Sequence, residues 1–440
     1  MQESDPASVE YLGNNYASAG KGNYDIYVVF LERALSLICE SGRLGYIVPH
    51  KFFNAQYGAA LRDHLSSGRH VSGITHFGHQ QIFEGATTYT CLLFLQKTAA
   101  PFLRFAKVDD LEAWVKSKAE TVSEIPAAKL NGGDWIFAAG PTGALLEKLA
   151  KAPATLESIT TRIFQGIKTS ADKIYIVEER ERRGNLVRVW SPERETEYWL
   201  EAALLHPLVK GGDSKRYNLS KTNRLILFPY ERNDDDSVSL ISASMLRDKY
   251  PKIWAYFGDN RKYLDDRESG RFRGAGWYQF GRSQALDVMP LPKIFTPDIA
   301  PSASFTYDST GECFFTGGVA GGYGILCNDG VEPRVVLGLL NSHLLSWVVA
   351  QTATQMRGGY LSFEARFIRS LPVILPKTNG AMISLVDKML ALVPKLRVET
   401  RERERAVLAN AVQTTDRKID ELVYDLYGLT PEEIALVEKP

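Results

Sequence analysis

The chain has 440 residues, 52 Lys+Arg against 52 Asp+Glu, 45% apolar residues and 24% charged ones. That length suggests about two to four domains, and the ordinary apolar share excludes disorder as the main state. Zero formal net charge excludes a uniformly basic nucleic-acid coat, while leaving room for a basic cleft on a neutral body.

The N-terminal stretch MQESDPASVEYLGNNYASAGKG is polar and lacks a signal-peptide core. Residues 25–39 carry apolar positions at helical spacing, with Asp25 placed to cap the start and Ser41-Gly42 to stop the helix. Short β-rich runs follow at LGYIVP (44–49), VSGITHF (71–77) and TTYTCLLFLQK (87–97), with a helix over 55–65 between the first two. Helices alternating with buried strands predict an α/β sheet. Three strand candidates are few for a complete open sheet, so 1–120 is expected to be the second half of a domain. A mixed connector spans 121–158. Residues 159–376 hold short strands, many aromatics and Gly/Pro breaks, which predict an irregular α+β module with one embedded helix at 335–351. Residues 377–440 read as helices, the last opened by Thr430 as cap and Pro431 at the first helical position.

Several chemistries lack their motifs. There is no P-loop, no His-Glu-x-x-His and no Gly-x-Ser-x-Gly. Four scattered cysteines without a Cys-x-x-Cys pair fit a reducing cytoplasm and argue against structural zinc. His76-Phe-Gly-His79 has no obvious carboxylate partner apart from Glu84, so no metal is expected. Asp109-Asp110 and Asp265-Asp266 read as exposed turn acids rather than nuclease carboxylates. No run nears the ~18 apolar residues of a membrane span, so no membrane partner is expected.

Three segments in order, GNYDIYVVFLERA (22–34), GRLGYIVPHKFF (42–53) and IFEGATTYTCLLFLQK (82–97), resemble the second half of a DNA adenine-N6 methyltransferase of the TaqI-like, gamma class found in restriction–modification systems. Four later stretches, QGIKTSADKIYIV (165–177), LLHPLVKGGDSKRY (204–217), LGLLNSHLLSW (337–347) and RGGYLSF (357–363), are similar to the target-recognition domain of the same enzymes, and IDELVYDLYGLT (419–430) to their C-terminal helices. The resemblance implies a partial Rossmann-like methyltransferase sheet, then an α+β target-recognition domain over 159–376 and a C-terminal helical hairpin. It implies S-adenosylmethionine as cofactor and double-stranded DNA as partner. The family also carries a glycine-rich cofactor loop and an Asn-Pro-Pro-Tyr motif that holds the target amine. Neither occurs in these 440 residues. The expectation is a fragment or split subunit completed by a separate chain, with a non-catalytic DNA-binding specificity module as the alternative.

Residue roles follow from the resemblance. Phe83 matches the aromatic that stacks on the flipped adenine; a core Phe at a strand entrance is the alternative. Asp25 and Tyr27 match a motif bordering the cofactor side, or are a helix cap and a packing ring. Lys51 is placed to meet a phosphate, or is a solvated lysine. DNA contacts are expected from Lys168 and Thr169, from Lys210, Lys215 and Arg216 around Gly-Gly-Asp, from Arg271, Arg273 and Arg282 in a basic stretch, and from Arg357 with Tyr360. Gly317-Gly318 and Gly321-Gly322 predict tight turns with close backbone approach.

Overall fold

A computed structural model describes residues 5–20, 23–78, 80–85, 88–108, 110–117, 121–138, 140–318, 320–356 and 358–439. The chain divides into two compact units, 1–150 with 354–360, and 151–353 with 361–440. It is a mixed α/β structure with several sheets.

The first unit is built on a five-stranded sheet. Its strands are β1 (Arg43–Pro49), β2 (Val71–His76), β3 (Thr90–Gln96), β4 (Phe102–Lys107) and β5 (Thr121–Pro126), in the order β1-β3-β2-β4-β5. β3 runs against both β1 and β2, and β2 is parallel to β4. Strands β1, β2 and β4 therefore end on one edge of the sheet. Two strands, β4 and β5, lie beyond the three expected. β5 falls in the polar stretch 121–126, which carries little apolar alternation, and joins the sheet through its backbone pairing with β4.

Helix α1 (Pro6–Asn15) precedes α2 (Tyr27–Leu37). Val28, Leu31 and Leu35 form the stripe that α2 buries, against Leu61 and Leu65 of α3 (Ala59–Ser67) and Leu93 and Leu95 of β3. Asp25 does not cap α2 as expected. The cap position is Ile26, without a side-chain bond, and only the Asp25 carbonyl accepts from Val28 N at 3.2 Å.

The second unit contains a six-stranded sheet, in spatial order 196–201, 186–191, 176–183, 224–227, 205–209 and 314–315. A four-stranded sheet orders 306–308, 293–297, 322–327 and 160–165. Their shared core is aromatic: Tyr175, Phe257, Tyr278, Phe280, Phe295, Phe314 and Phe315. The single helix expected at 335–351 is two, Pro333–Leu340 and His343–Thr352, bent by 61°. Asn341 bonds both backbone groups of Phe305, at 3.0 and 2.9 Å, and Ser342 caps the second helix through Leu345 N. No single described helix is long and apolar enough to cross a membrane. Helices Gly380–Val398 and Glu402–Tyr427 form the expected hairpin, and Thr430 with Glu433 closes a capping box on Pro431–Val437. The glycine turn is close-packed, because a Cβ on Gly321 would stand 1.7 Å from Thr316 O.

Candidate functional site

In open α/β sheets, ligands favour the crevice beyond the carboxyl ends of the strands. In the first unit that edge gathers His50 after β1, His76 at the end of β2, Lys107 at the end of β4, and Tyr89 at the entrance of β3. Backbone bonds from His50 N to Tyr89 O (3.1 Å) and from Val108 N to His76 O (2.9 Å) lock the ends together. The His50 and His76 rings meet with centroids 4.4 Å apart, and Phe53 stacks 5.9 Å from each. Burial holds the His50 pKa below the ordinary imidazole value. Burial, with the neighbouring His50 and Lys107, pushes His76 down to about 3.

Phe83 sits on the loop that leaves this edge between β2 and β3. It is 49% exposed and stands outside the core cluster, so it is not the packed Phe of the alternative reading. Lys51 is exposed on the 3-10 turn His50–Phe53 of the same edge. That turn is fixed from behind by buried Arg62. Its guanidinium donates to the carbonyls of Phe52 (2.6 Å), Ala55 (2.8 Å) and Gly133 (2.7 Å) and pairs with Asp134 at 3.2 Å. Nothing in the sequence around Arg62 marks that role.

Tyr27 is half-buried, and its hydroxyl is shared with that of Tyr57 at 2.9 Å while its ring packs edge-on to Phe52. Burial, more than the Tyr57 bond or nearby Asp25, raises the Tyr27 pKa. Asp25 is exposed. One free carboxylate and one committed hydroxyl are too few to hold S-adenosylmethionine. The described residues therefore do not make a complete site for it.

The second unit brings some of the expected DNA contacts together and separates others. Arg282 N donates to Lys168 O at 3.1 Å, so Lys168 and Arg282 adjoin. Arg282 pairs with Glu268 at 2.7 Å, Arg271 with the same carboxylate at 3.4 Å, and Arg273 with Asp266 at 2.8 Å. The Ser170 hydroxyl and then Arg282 hold the Glu268 carboxyl below the usual range. These arginines remain 47–66% exposed. Asp265 and Asp266 are not free turn acids: they close the helix Arg261–Asp266, paired with Arg261 and Arg273.

Two expected contacts are corrected by burial. Thr169 is 1% exposed; its hydroxyl bonds Asp172 and accepts from Ala171 N, and its carbonyl accepts from Arg267 and Gly281. It shapes the turn and has nothing left for a phosphate. Arg216 donates to the Asn341 carbonyl at 2.9 Å, pairs with Asp416 and lies over the Tyr217 ring. It is a staple to the C-terminal hairpin. Lys210 is exposed at the Gly211–Asp213 turn and Lys215 is half-buried beside it. Tyr360 belongs instead to the 354–360 segment of the first unit, where it is 45% exposed after two left-handed glycines, Gly358 and Gly359. Arg357, His79 and Asp109 lie outside the described residues.

One group was not foreseen. His343, Asp416 and Asp420 bring three ligand-type atoms within 4.8 Å of one another. His343 Nδ1 meets Asp420 at 2.5 Å, and the Asp420 bond holds the imidazole pKa above its ordinary value. With Arg216 on Asp416 the charges already balance, which makes an ion-pair quartet rather than a cation cage.

Comparison with known proteins gives this geometry a context. Residues 1–83 match the Eco57I restriction-modification methylase family, and residues 206–373 match the TaqI-like C-terminal specificity domain. The chain is 25% identical to the type II restriction enzyme and methyltransferase RM.Eco57I of Escherichia coli, over 98% of this chain and 45% of that protein. It is 23% identical to the type II methyltransferase M.XhoI of Xanthomonas vasicola, over 94% of this chain and 70% of the relative. The chain thus spans less than half the length of RM.Eco57I. In fold it is similar to the type IIL restriction–modification enzyme MmeI, solved in complex with DNA, with a TM-score of 0.58, 14% identity, and 98% of this chain and 53% of that one covered.

Proposed function

We propose, taking this relationship to type II restriction–modification methyltransferases as premise, that the chain is the DNA-recognising part of an S-adenosylmethionine-dependent, adenine-N6-specific DNA methyltransferase. One observation carries the reading: a methylase-like segment and a TaqI-like specificity domain stand in that order on one chain. The five-stranded sheet is read as the later part of a Rossmann-like methyltransferase sheet.

Methyl transfer to an exocyclic amine needs the base out of the stack, the nitrogen held by acceptors and the methyl donor in line. In this proposal Phe83 offers the first of these a stacking face. Lys51 meets a phosphate near the flipped nucleotide. Lys168, Arg271, Arg273 and Arg282 grip the duplex, largely through phosphates, with Lys210 and Lys215 at a second turn of the same unit and Tyr360 offered separately by the 354–360 segment of the first unit. The amine acceptors and the cofactor pocket come from a further segment or a separate chain bearing the glycine-rich loop and Asn-Pro-Pro-Tyr. A second reading, a non-catalytic DNA-binding specificity module, draws support from the concentration of exposed arginines in the second unit.

The test is methyl transfer from radiolabelled S-adenosylmethionine to mixed genomic DNA. It is run with the purified chain and with the chain plus a co-expressed chain carrying the two missing motifs. Incorporation only in the mixture supports the split enzyme. Duplex binding without incorporation in either arm supports the specificity module. No duplex binding at 50 mM salt and micromolar protein, about the range of non-specific DNA affinity, sinks both.

A further inference from the structure

Two histidines at the carboxyl edge of the first sheet converge on one glycine. Gly78 N donates to His76 Nδ1 at 2.9 Å, and His50 Nε2 meets Gly78 O at 3.2 Å. A backbone N–H can only donate and a carbonyl can only accept. His76 therefore presents a bare Nδ1 and carries its proton on Nε2, while His50 carries a proton on Nε2. The two rings meet at a 40° tilt and both stack on Phe53, with Tyr89 6.2 Å from His50 and Phe105 6.4 Å from His76. Lys107 is the charged group facing the His76 ring.

Gly78 is where the chain turns into the loop that carries Phe83, and it does so at φ +58°, a left-handed conformation. The neighbouring residues are also fastened. Phe77 is buried edge-on to Trp114, and the Gln80 side chain bonds Val108 O and accepts from Leu111 N at 2.9 Å. The root of the loop is thus held at several points, while its tip leaves Phe83 exposed.

We propose that His50 and His76 are positioning residues: a paired imidazole clamp on Gly78 that sets the direction in which the loop presents Phe83. The value of that direction for catalysis rests on the reading of Phe83 as the base-facing aromatic. The clamp itself does not. Imidazole suits the task because each ring offers one polar atom to the glycine backbone and an apolar face to the core. The rings then order the loop without placing a charge beside an incoming base.

The test uses the full chain and graded substitutions. Asn at 76 offers an acceptor near the position of Nδ1, and Gln at 50 offers a donor near that of Nε2. Leu at either position fills space without the bond. Amide hydrogen exchange over 77–89 is expected to rise about tenfold in His76→Leu and His50→Leu, the scale of one lost hydrogen bond, with β1 and β3 unchanged. His76→Asn and His50→Gln are expected to restore most of the protection. Nitrogen-15 histidine spectra of the unmodified chain at neutral pH are expected to show His76 protonated on Nε2 alone. A His76 protonated on Nδ1 overturns the clamp, as does equal exchange in the Asn and Leu variants. Phe83→Ala separates the two ideas. It leaves exchange at 76–80 unchanged if the clamp stands alone, and if duplex binding and methyl transfer with the completing chain are also unchanged, the base-facing reading fails while the clamp remains.

Discussion

At the root of the loop that carries Phe83 the first unit uses neutral rings and backbone: two tilted imidazoles, Phe53 and hydrogen bonds converging on Gly78, with Lys107 and Lys51 as the cations of that edge. The second unit uses charge. Arg271, Arg273 and Arg282 each hold an acid in the unbound chain, and His343 is closed onto Asp420. Under the proposed function, the difference matches what each surface would meet. A flipped base presents a π face and is served by aromatic walls. A phosphate backbone is served by cations whose acidic partners can be exchanged for phosphate oxygens.

The sharpest way to break the charged half is in its core. Lys293 and Asp308 form an ion pair 2.8 Å apart with side chains 1% and 4% exposed. Asp308 also accepts from the amides of Gly311 and Cys313, each at 3.0 Å. Lys293→Met leaves that carboxylate without a counter-charge and is expected to cost about 3–5 kcal/mol in denaturant unfolding. Adding Asp308→Asn removes the unpaired charge and is expected to recover part of the loss, since the amide oxygen still accepts from Gly311 although the acceptor for Cys313 is gone. A double variant as unstable as the single one would place the cost in packing instead.

The histidine pair of the first unit is tested by acid. His76 has a folded pKa near 3 against an ordinary value of 6.5, so the unfolded chain binds the proton more readily. Its contribution is intact above pH 6.5 and is lost as pH falls from there toward 3. At pH 5 the penalty is about 2 kcal/mol. His76→Asn is expected to flatten the acid side of a stability–pH curve by that order. An unchanged slope would mean that His76 is solvated.

These two cores differ in how plainly the sequence announces them. The runs at 44–49, 71–77 and 87–97 are short and β-rich with few breaks, and the structure has β1, β2 and β3 there. The motif around Phe83 singles it out, and the structure shows its ring 49% exposed. The clamp was not legible, because a histidine that bonds a glycine backbone leaves no spacing pattern; His76 drew attention only as half of a metal pair. Thr169 and Arg216 misled for a related reason. A polar residue beside glycines reads as a contact loop, and whether its hydrogen bonds are already taken depends on residues as distant as Asp416. The kink at Asn341–Ser342 was legible in principle, since Ser is a strong helix cap, but the apolar run on either side outweighed it.

The arginine cluster gives a smaller effect and a cleaner signature. Each phosphate contact removed is expected to reduce the salt slope of duplex binding by about 0.9, roughly uniformly across sequences. Arg282→Ala and Arg271→Ala are expected to do this with stability nearly unchanged, since exposed pairs contribute about 0–1 kcal/mol. Arg216→Ala is expected to do the reverse, lowering stability while leaving the slope alone. A slope change in Arg216→Ala would return that residue to the DNA contacts.

The smallest effect tests whether the two halves differ in sign as well as in kind. His343 is the mirror image of His76: its bond to Asp420 raises the folded pKa, with Asp416 adding to the pull and Arg216 opposing it. Its stabilisation is fully present below the ordinary 6.5 and fades as pH rises through the folded value. The side chain is 56% exposed, so solvent screening limits the contribution to about 0.5 kcal/mol. His343→Gln keeps a polar partner for Asp420 and loses the charge. It is expected to remove a shallow decline of stability above neutrality and to leave the acid side untouched, whereas His76→Asn does the opposite. If both substitutions bend the same side of the curve, the contrast between a buried neutral His76 and an ion-paired His343 is wrong. If they bend opposite sides, each histidine reports on its own unit, and mild acid loosens the edge that carries Phe83 while the link between His343 and the C-terminal hairpin tightens.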